Sequence, residues 1–242
     1  MIDEILLFAL LALGAEILGT ISGFGSSVLF VPIASFFFDF HSVLGITALF
    51  HVFSNVSKIL LFRKGIEWAV VLRIGIPAVI FVSLGAFLSK LIDASRLESF
   101  LAVFMILFSL VFLIFKSVTL RPATGNMLIG GSLSGLLAGL VGTGGAIRGM
   151  LLSAFRMEKE IFIATSALID FGVDLSRSAV YAVNGYVHWH DLPVILVLLF
   201  VSIVGTYLGK KILKIISEEN FRIIVLLMIL GIGIFTAVRQ FM

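Results

Sequence analysis

Residues 19–38 read GTISGFGSSVLFVPIASFFF, and 119 positions further on residues 138–157 read AGLVGTGGAIRGMLLSAFRM. Both stretches interrupt an apolar run with closely spaced glycines, Gly23-Phe24-Gly25-Ser26-Ser27 in the first and Gly142-Thr143-Gly144-Gly145 in the second. The segment after each break is apolar but short, about 26 to 38 and 146 to 155. A helix rises about 1.5 Å per residue and the hydrocarbon layer is about 30 Å thick, so these pieces reach only part way across and read as half-helices.

Working outward, the 119-residue shift pairs Gly23 with Gly142, Gly25 with Gly144, Phe36 with Phe155 and Ala48-Leu49 with Ala167-Leu168. It runs on through Asn55 and Asp174, Ser57 and Ser176, Lys58 and Arg177. With one or two single-residue gaps it extends to Gly65 and Gly185, Trp68 and Trp189, Gly85 and Gly205, Lys90 and Lys210. A duplication is expected, residues 1–120 and 121–242, the two repeats forming one transport domain. Long apolar segments lie at roughly 4–22, 42–62, 67–91, 96–117, 126–141, 160–183, 190–216 and 220–240. Each half thus holds a glycine-broken helix pair and three transmembrane helices.

Composition agrees. Of 242 residues 60% are apolar or aromatic and only 13% charged, where soluble domains carry about 25%. Such a chain cannot cover a water-facing surface, and its mean hydropathy of +1.22 marks an all-α polytopic membrane protein, expected in the cell's inner membrane. Seventeen Lys and Arg against 14 Asp and Glu leave too small an excess for nucleic-acid binding. The absence of cysteine removes thiolate metal sites and cysteine nucleophiles. No cofactor and no metal is implied. The N-terminus carries Asp3 and Glu4 where a cleaved leader would carry Lys or Arg, so it reads as a retained first segment.

Orientation is read from basic residues, which favour the cytoplasmic side. If each half crosses an odd number of times, one side collects ten (Arg63, Lys64, Lys116, Arg121, Arg156, Lys159, Lys210, Lys211, Lys214, Arg222) and the other three (Lys90, Arg96, Arg239). Four crossings per half would divide them eight against five. The first division is the more lopsided and predicts an inverted repeat with both termini outside the cytoplasm. Inverted repeats with broken helices characterise secondary transporters, whose substrate site lies where the breaks meet. Gly131-x-x-x-Gly135 and Gly135-x-x-x-Gly139 read instead as close helix packing.

Two polar stripes run through the apolar segments: Thr47, His51, Asn55 and Lys58, and 119 residues later Ser166, Asp170, Asp174 and Arg177. Both have the spacing i, i+4, i+8, i+11, hence one helix face each, and must face one another or a cavity. The bland alternative pairs Asp174 with Arg177 and sends Lys58 and Arg177 toward the interface. Asp170 and His51 have no obvious local partner and are candidates for proton coupling. Arg148, three residues after Gly145, lies in the first turn of the second half-helix, where backbone N–H groups and a planar guanidinium suit an oxyanion. The substrate-binding candidates are Gly23, Gly25, Ser26, Ser27, Asn55, Thr143, Gly144, Gly145 and Arg148; those for coupling or the polar stripe are His51, Lys58, Asp170, Asp174 and Arg177. Arg148 as an interface anchor is the structural alternative. Glu16 and Arg73 are expected to pair with each other or with a stripe, or either to serve as a relay. His188-Trp189-His190-Asp191 has metal-ligand composition but reads as an interfacial aromatic belt. Pro32 and Pro77 are expected to kink their helices.

The duplicated pattern, Gly-x-x-x-Gly-x-Gly-Ser-Ser with Pro32 after it, and Gly135-x-x-x-Gly139-x-x-Gly142-Thr-Gly144-Gly145 with Ala164-Thr165-Ser166 after it, resembles the sulfite exporter TauE/SafE family, also described as a sulfonate-uptake-type permease family. The likeness covers about residues 15–240. It implies a polytopic transporter of sulfur-containing anions such as sulfite or small organosulfonates, with the glycine motifs of both halves at its core. The partners expected are therefore a small anionic substrate, the lipid bilayer and, through Asp170, Asp174 or His51, a proton. An intramembrane enzyme using His51, Asp170 and His188 leaves the duplicated breaks unexplained, and a passive anion channel is the third alternative.

Overall fold

The computed structural model describes residues 2–22, 25–62, 64–115, 123–153, 155, 157–213, 215 and 218–239. Gly23 and the repeat boundary at 120/121 lie outside them, as do Arg63, Lys116, Arg121, Arg156 and Lys214 among the basic residues that set the orientation. Every extended element among the described residues is helical: α1 (Ile2–Ser22), α2 (Ser27–Ala34), α3 (Phe40–Leu61), α4 (Trp68–Ser89), α5 (Ala94–Ile114), α6 (Thr124–Val141), α7 (Gly145–Ser153), α8 (Lys159–Asn184), α9 (Leu192–Leu213) and α10 (Glu218–Arg239). α2 and α7 have 8 and 9 residues, too few to cross a bilayer, and each comes directly after a glycine break.

Six spans are long and apolar enough to cross a membrane by length and composition: Glu4–Ser22, Phe40–Leu61, Trp68–Ser89, Ala94–Ile114, Thr124–Val141 and Trp189–Leu213. α8 has the length, 26 residues, but Asp170, Asp174 and Arg177 lower its hydropathy. The protein is an integral, multi-pass membrane protein. Leu6, Leu10, Ile80, Phe87, Leu107 and Phe200 are exposed on its outer faces, as lipid contact requires.

Local sequence explains the joints. Asp39 caps α3 by accepting a 3.0 Å hydrogen bond from the Ser42 N–H. A π-helical turn at Val71–Gly75 lies within α4, just before Pro77, whose missing N–H cannot continue the regular ladder. At the breaks the chain turns on Gly25 and Gly142, with φ of 79° and 78°, a region costly for any residue with a Cβ.

α6 packs along α4 and α1 along α9. In the first interface a Cβ on Gly131, Gly135 or Gly139 would strike the α4 carbonyls of Ile74, Ala78 or Val82, so glycine is what lets the backbones touch. In the second, Gly205 and Gly209 of α9 receive Glu16 and Thr20 of α1. Glu16 and Thr20 stand 119 residues before Gly135 and Gly139. α3 packs on α8 and α5 on α10, while α4 also meets α8 and α9 meets α3. Lys64, beyond the C-terminus of α3, lies 3.7 Å from Glu158, before the N-terminus of α8. At the other end, Gly45 of α3 abuts the Tyr186 carbonyl beyond the C-terminus of α8. α3 and α8 therefore run antiparallel.

Candidate functional site

The two glycine breaks meet. A Cβ on Gly25 would lie 3.8 Å from the Gly145 Cα, and the Ser27 and Thr143 hydroxyls are 3.3 Å apart. Beside them the two stripes touch, since the Asn55 amide of α3 donates a 2.7 Å hydrogen bond to the Asp174 carboxylate of α8. Residues at equivalent repeat positions are thus bonded to each other. Between breaks and stripes lies a cavity of about 40 Å³, lined by Gly25, Ser26, Ser27, His51, Asn55, Lys58, Gly144, Gly145, Arg148, Asp170, Asp174 and Arg177 among others. Thr143 sits behind the lining, fully buried on Ser27. Helical spacing explains the convergence of each stripe, but only the fold brings α2 and α7 to them.

Each cation of the site has a carboxylate. Arg177 holds Asp174 through Nε at 2.8 Å and a second nitrogen at 2.7 Å. Its third nitrogen donates to the Ala138 and Gly142 carbonyls at 3.1 and 2.8 Å, satisfying the C-terminus of α6. Tyr181 adds a hydrogen bond to the Gly139 carbonyl at 2.7 Å. The Asp174–Arg177 pairing expected as the bland alternative is therefore present. Neither Lys58 nor Arg177 reaches an interface, being 6% and 2% exposed. Lys58 binds Glu16 at 2.9 Å and the Ser54 hydroxyl at 2.7 Å.

Glu16 is the residue whose weight the sequence understates. Fully buried on α1, its carboxylate also accepts from Ser26 and Ser54 at 2.6 Å, Thr206 at 3.0 Å and Thr20 at 3.3 Å. The Thr20 and Ser54 contributions have a sequence signal, four residues from Glu16 and Lys58 respectively on the same helix faces. Thr206, from α9, has none. Arg73 is exposed on the π-turn of α4 and takes no part. His188 and His190 stack 5.0 Å apart at the entry to α9, and Trp189 is 91% exposed, as an interfacial belt would have it. Donor atoms of His188, His190 and Asp191 fall within 4.8 Å of one another, with Asp191 already accepting the His188 backbone N–H.

Arg148 enters from the first turn of α7. Its terminal nitrogen pairs with the Asp170 carboxylate, which also accepts from Ser166 at 3.4 Å. The pair supplies the charged partner that Asp170 lacks within its own helix. The Nε–H of Arg148, in a side chain only 3% exposed, has no hydrogen-bond partner among the described residues. A buried donor left unmet costs about 1–3 kcal/mol, more when it is charged.

A sequence model of the family described as "Sulfite exporter TauE/SafE" matches residues 7–236. This chain belongs to the TauE/SafE family. A TauE/SafE chain with this architecture is a membrane transporter. It is 29% identical over 247 residues, covering 90% of both chains, to a probable membrane transporter protein of Methanocaldococcus jannaschii. No solved structure matches it.

Proposed function

We propose that this protein is a secondary transporter of a small sulfur-containing oxyanion across the cell's inner membrane, working by alternating access of two inverted halves. One observation carries the anion: Arg148 presents a buried, unpartnered Nε–H at the start of a half-helix, beside the cavity. A guanidinium edge of that kind takes two oxygens of a planar or pyramidal oxyanion, and the α7 N-terminus adds N–H dipoles. The lining carries three cations, Lys58, Arg148 and Arg177, and two carboxylates, Asp170 and Asp174, with Glu16 behind it on Lys58. A cavity of about 40 Å³ suits a small anion.

Asp170 occupies Arg148 in this conformation, as a tethered carboxylate in place of a free anion. Substrate must displace it, or a proton must neutralise it, and coupling to a proton gradient arises from that competition. The packing supports two halves: exchanging helices by the repeat turns the α4–α6 interface into α9–α1 and the α4–α8 interface into α9–α3. The antiparallel course of the equivalent helices α3 and α8 favours inversion.

The test is a thermal-shift screen of purified protein against sulfite, sulfate, thiosulfate, taurine, isethionate and sulfoacetate, then flux into proteoliposomes. A bound anion raises apparent stability. Saturable flux of a stabilising anion, accelerated by a counter-gradient, is the expected result. No stabilisation by any of them, or flux that never saturates, overturns the proposal.

A further inference from the structure

The cluster on the other side of the first break contains a hydrogen-bond chain whose proton count does not balance for ordinary charge states. The Ser26 Oγ lies 2.6 Å from Glu16 Oε2 and 2.8 Å from His51 Nε2, and His51 Nδ1 lies 2.8 Å from the Thr47 carbonyl. All four groups are buried. The carbonyl only accepts, so Nδ1 must carry a proton. Ser26 has one hydroxyl proton for two contacts. If it goes to Glu16, the His51 contact needs a proton on Nε2 and the ring is an imidazolium; if it goes to His51, the Glu16 contact needs a protonated carboxyl. Three contacts take three protons, while a neutral imidazole, a hydroxyl and a carboxylate supply two.

We infer that Glu16, Ser26 and His51 form a binding site for one exchangeable proton. Groups from every side set its occupancy. Glu16 from α1 favours the added positive charge; burial of the ring opposes it, as do Lys58, on the same helix as His51 and 2.9 Å from Glu16, and Arg177 of α8, which lines the same cavity. Opposition from two cations keeps the proton releasable. When it leaves, Ser26 can satisfy only one of its two partners. Ser26 is the N-cap residue of α2, its carbonyl accepting from Leu29 and Phe30 at 3.1 and 2.8 Å, so release slackens the hold on the first half-helix. The site has a counterpart: His51 and Asp170 occupy equivalent stripe positions, and each grips the start of its own half-helix, at Ser26 and Arg148. A proton tightens the first grip and loosens the second.

The site stands on its own geometry; only what its proton drives rests on the transporter reading. The experiment uses the full-length protein in lipid nanodiscs without substrate, with histidine labelled in ¹⁵N, titrated between about pH 5 and 9. His51 is identified by His51→Gln. Should that variant not fold, joint replacement His41→Gln, His188→Gln and His190→Gln leaves His51 the single reporter. The expected result is an imidazolium signal from His51 that is lost in one step and shrinks severalfold at fixed pH in Glu16→Gln. Equally supportive is an infrared carbonyl band of a protonated carboxyl that disappears in Glu16→Gln. A neutral, single-tautomer His51 throughout with no such band overturns the inference. Flux on the same preparation separates the claims: a titrating His51 without anion flux defeats the transporter reading alone, and flux with a silent His51 and no carboxyl band defeats the proton site alone.

Discussion

Arg148 and Asp170 make one contact with two consequences. Arg148→Lys keeps the charge and loses the planar fork, so anion affinity measured by titration should fall about tenfold or more, and Arg148→Ala should fall further. Unchanged affinity in both variants would dismiss Arg148 as the anion's partner. Asp170→Asn leaves Arg148 buried without its carboxylate, a loss of the kind that costs about 3–5 kcal/mol in a buried pair. The substrate-free variant should melt earlier than wild type, saturating anion should restore most of the difference, and its flux should lose the part of its pH dependence that Asp170 contributes. If anion binding stabilises wild type and variant equally and the pH profiles coincide, Asp170 is only structural. Asp174→Asn behaves differently, because it removes the charge opposite Arg177 and leaves one amide oxygen where two carboxylate oxygens served Arg177 and Asn55, and no anion should rescue its stability.

At the scale of elements, the two glycine breaks are equivalent in sequence and unequal in space. A Cβ on Gly25 would meet only ordinary contacts at 3.8 Å, at a φ of 79°, whereas a Cβ on Gly144 would run into the Ser134 carbonyl of α6. Gly25→Ala should therefore cost about 1–2 kcal/mol of backbone strain and still yield a folded protein with impaired flux. Gly144→Ala should disrupt the seating of the break against α6 and lower the melting temperature much more. Equal melting temperatures for the pair would refute this assignment of roles. On the α4–α6 seam, Gly135→Leu is expected to prevent folding outright, since its side chain has backbone on the far side rather than a yielding side chain.

The whole molecule makes a prediction about sidedness. Gly65 and Glu158 lie at the shared end of α3 and α8, where Lys64 approaches Glu158, and Gly185 ends α8 on the opposite side. Cysteines introduced at 65 and 158 in this cysteine-free chain should react with impermeant reagents from one face of the membrane only, the cytoplasmic face by the basic-residue bias, and a cysteine at 185 only from the other. Labelling of 65 and 158 from opposite faces would exclude the inverted arrangement.

Much of this was legible in the residues themselves. Apolar length gave the spans, because a helix must satisfy its own backbone in lipid; glycine spacing marked the breaks; and i, i+4, i+8 spacing put each polar stripe on one face. Those are local properties, decided by neighbours along one helix. The pairing of charges is not local. Arg148 meets Asp170 from another helix, Glu16 gathers Lys58, Ser26, Ser54 and Thr206 across four helices, and the Nε–H of Arg148 is left without a partner among the described residues only because the surrounding helices place no acceptor beside it. A buried charge takes its character from whichever partners the packing brings within about 3 Å, and that distance is decided by the tertiary structure alone.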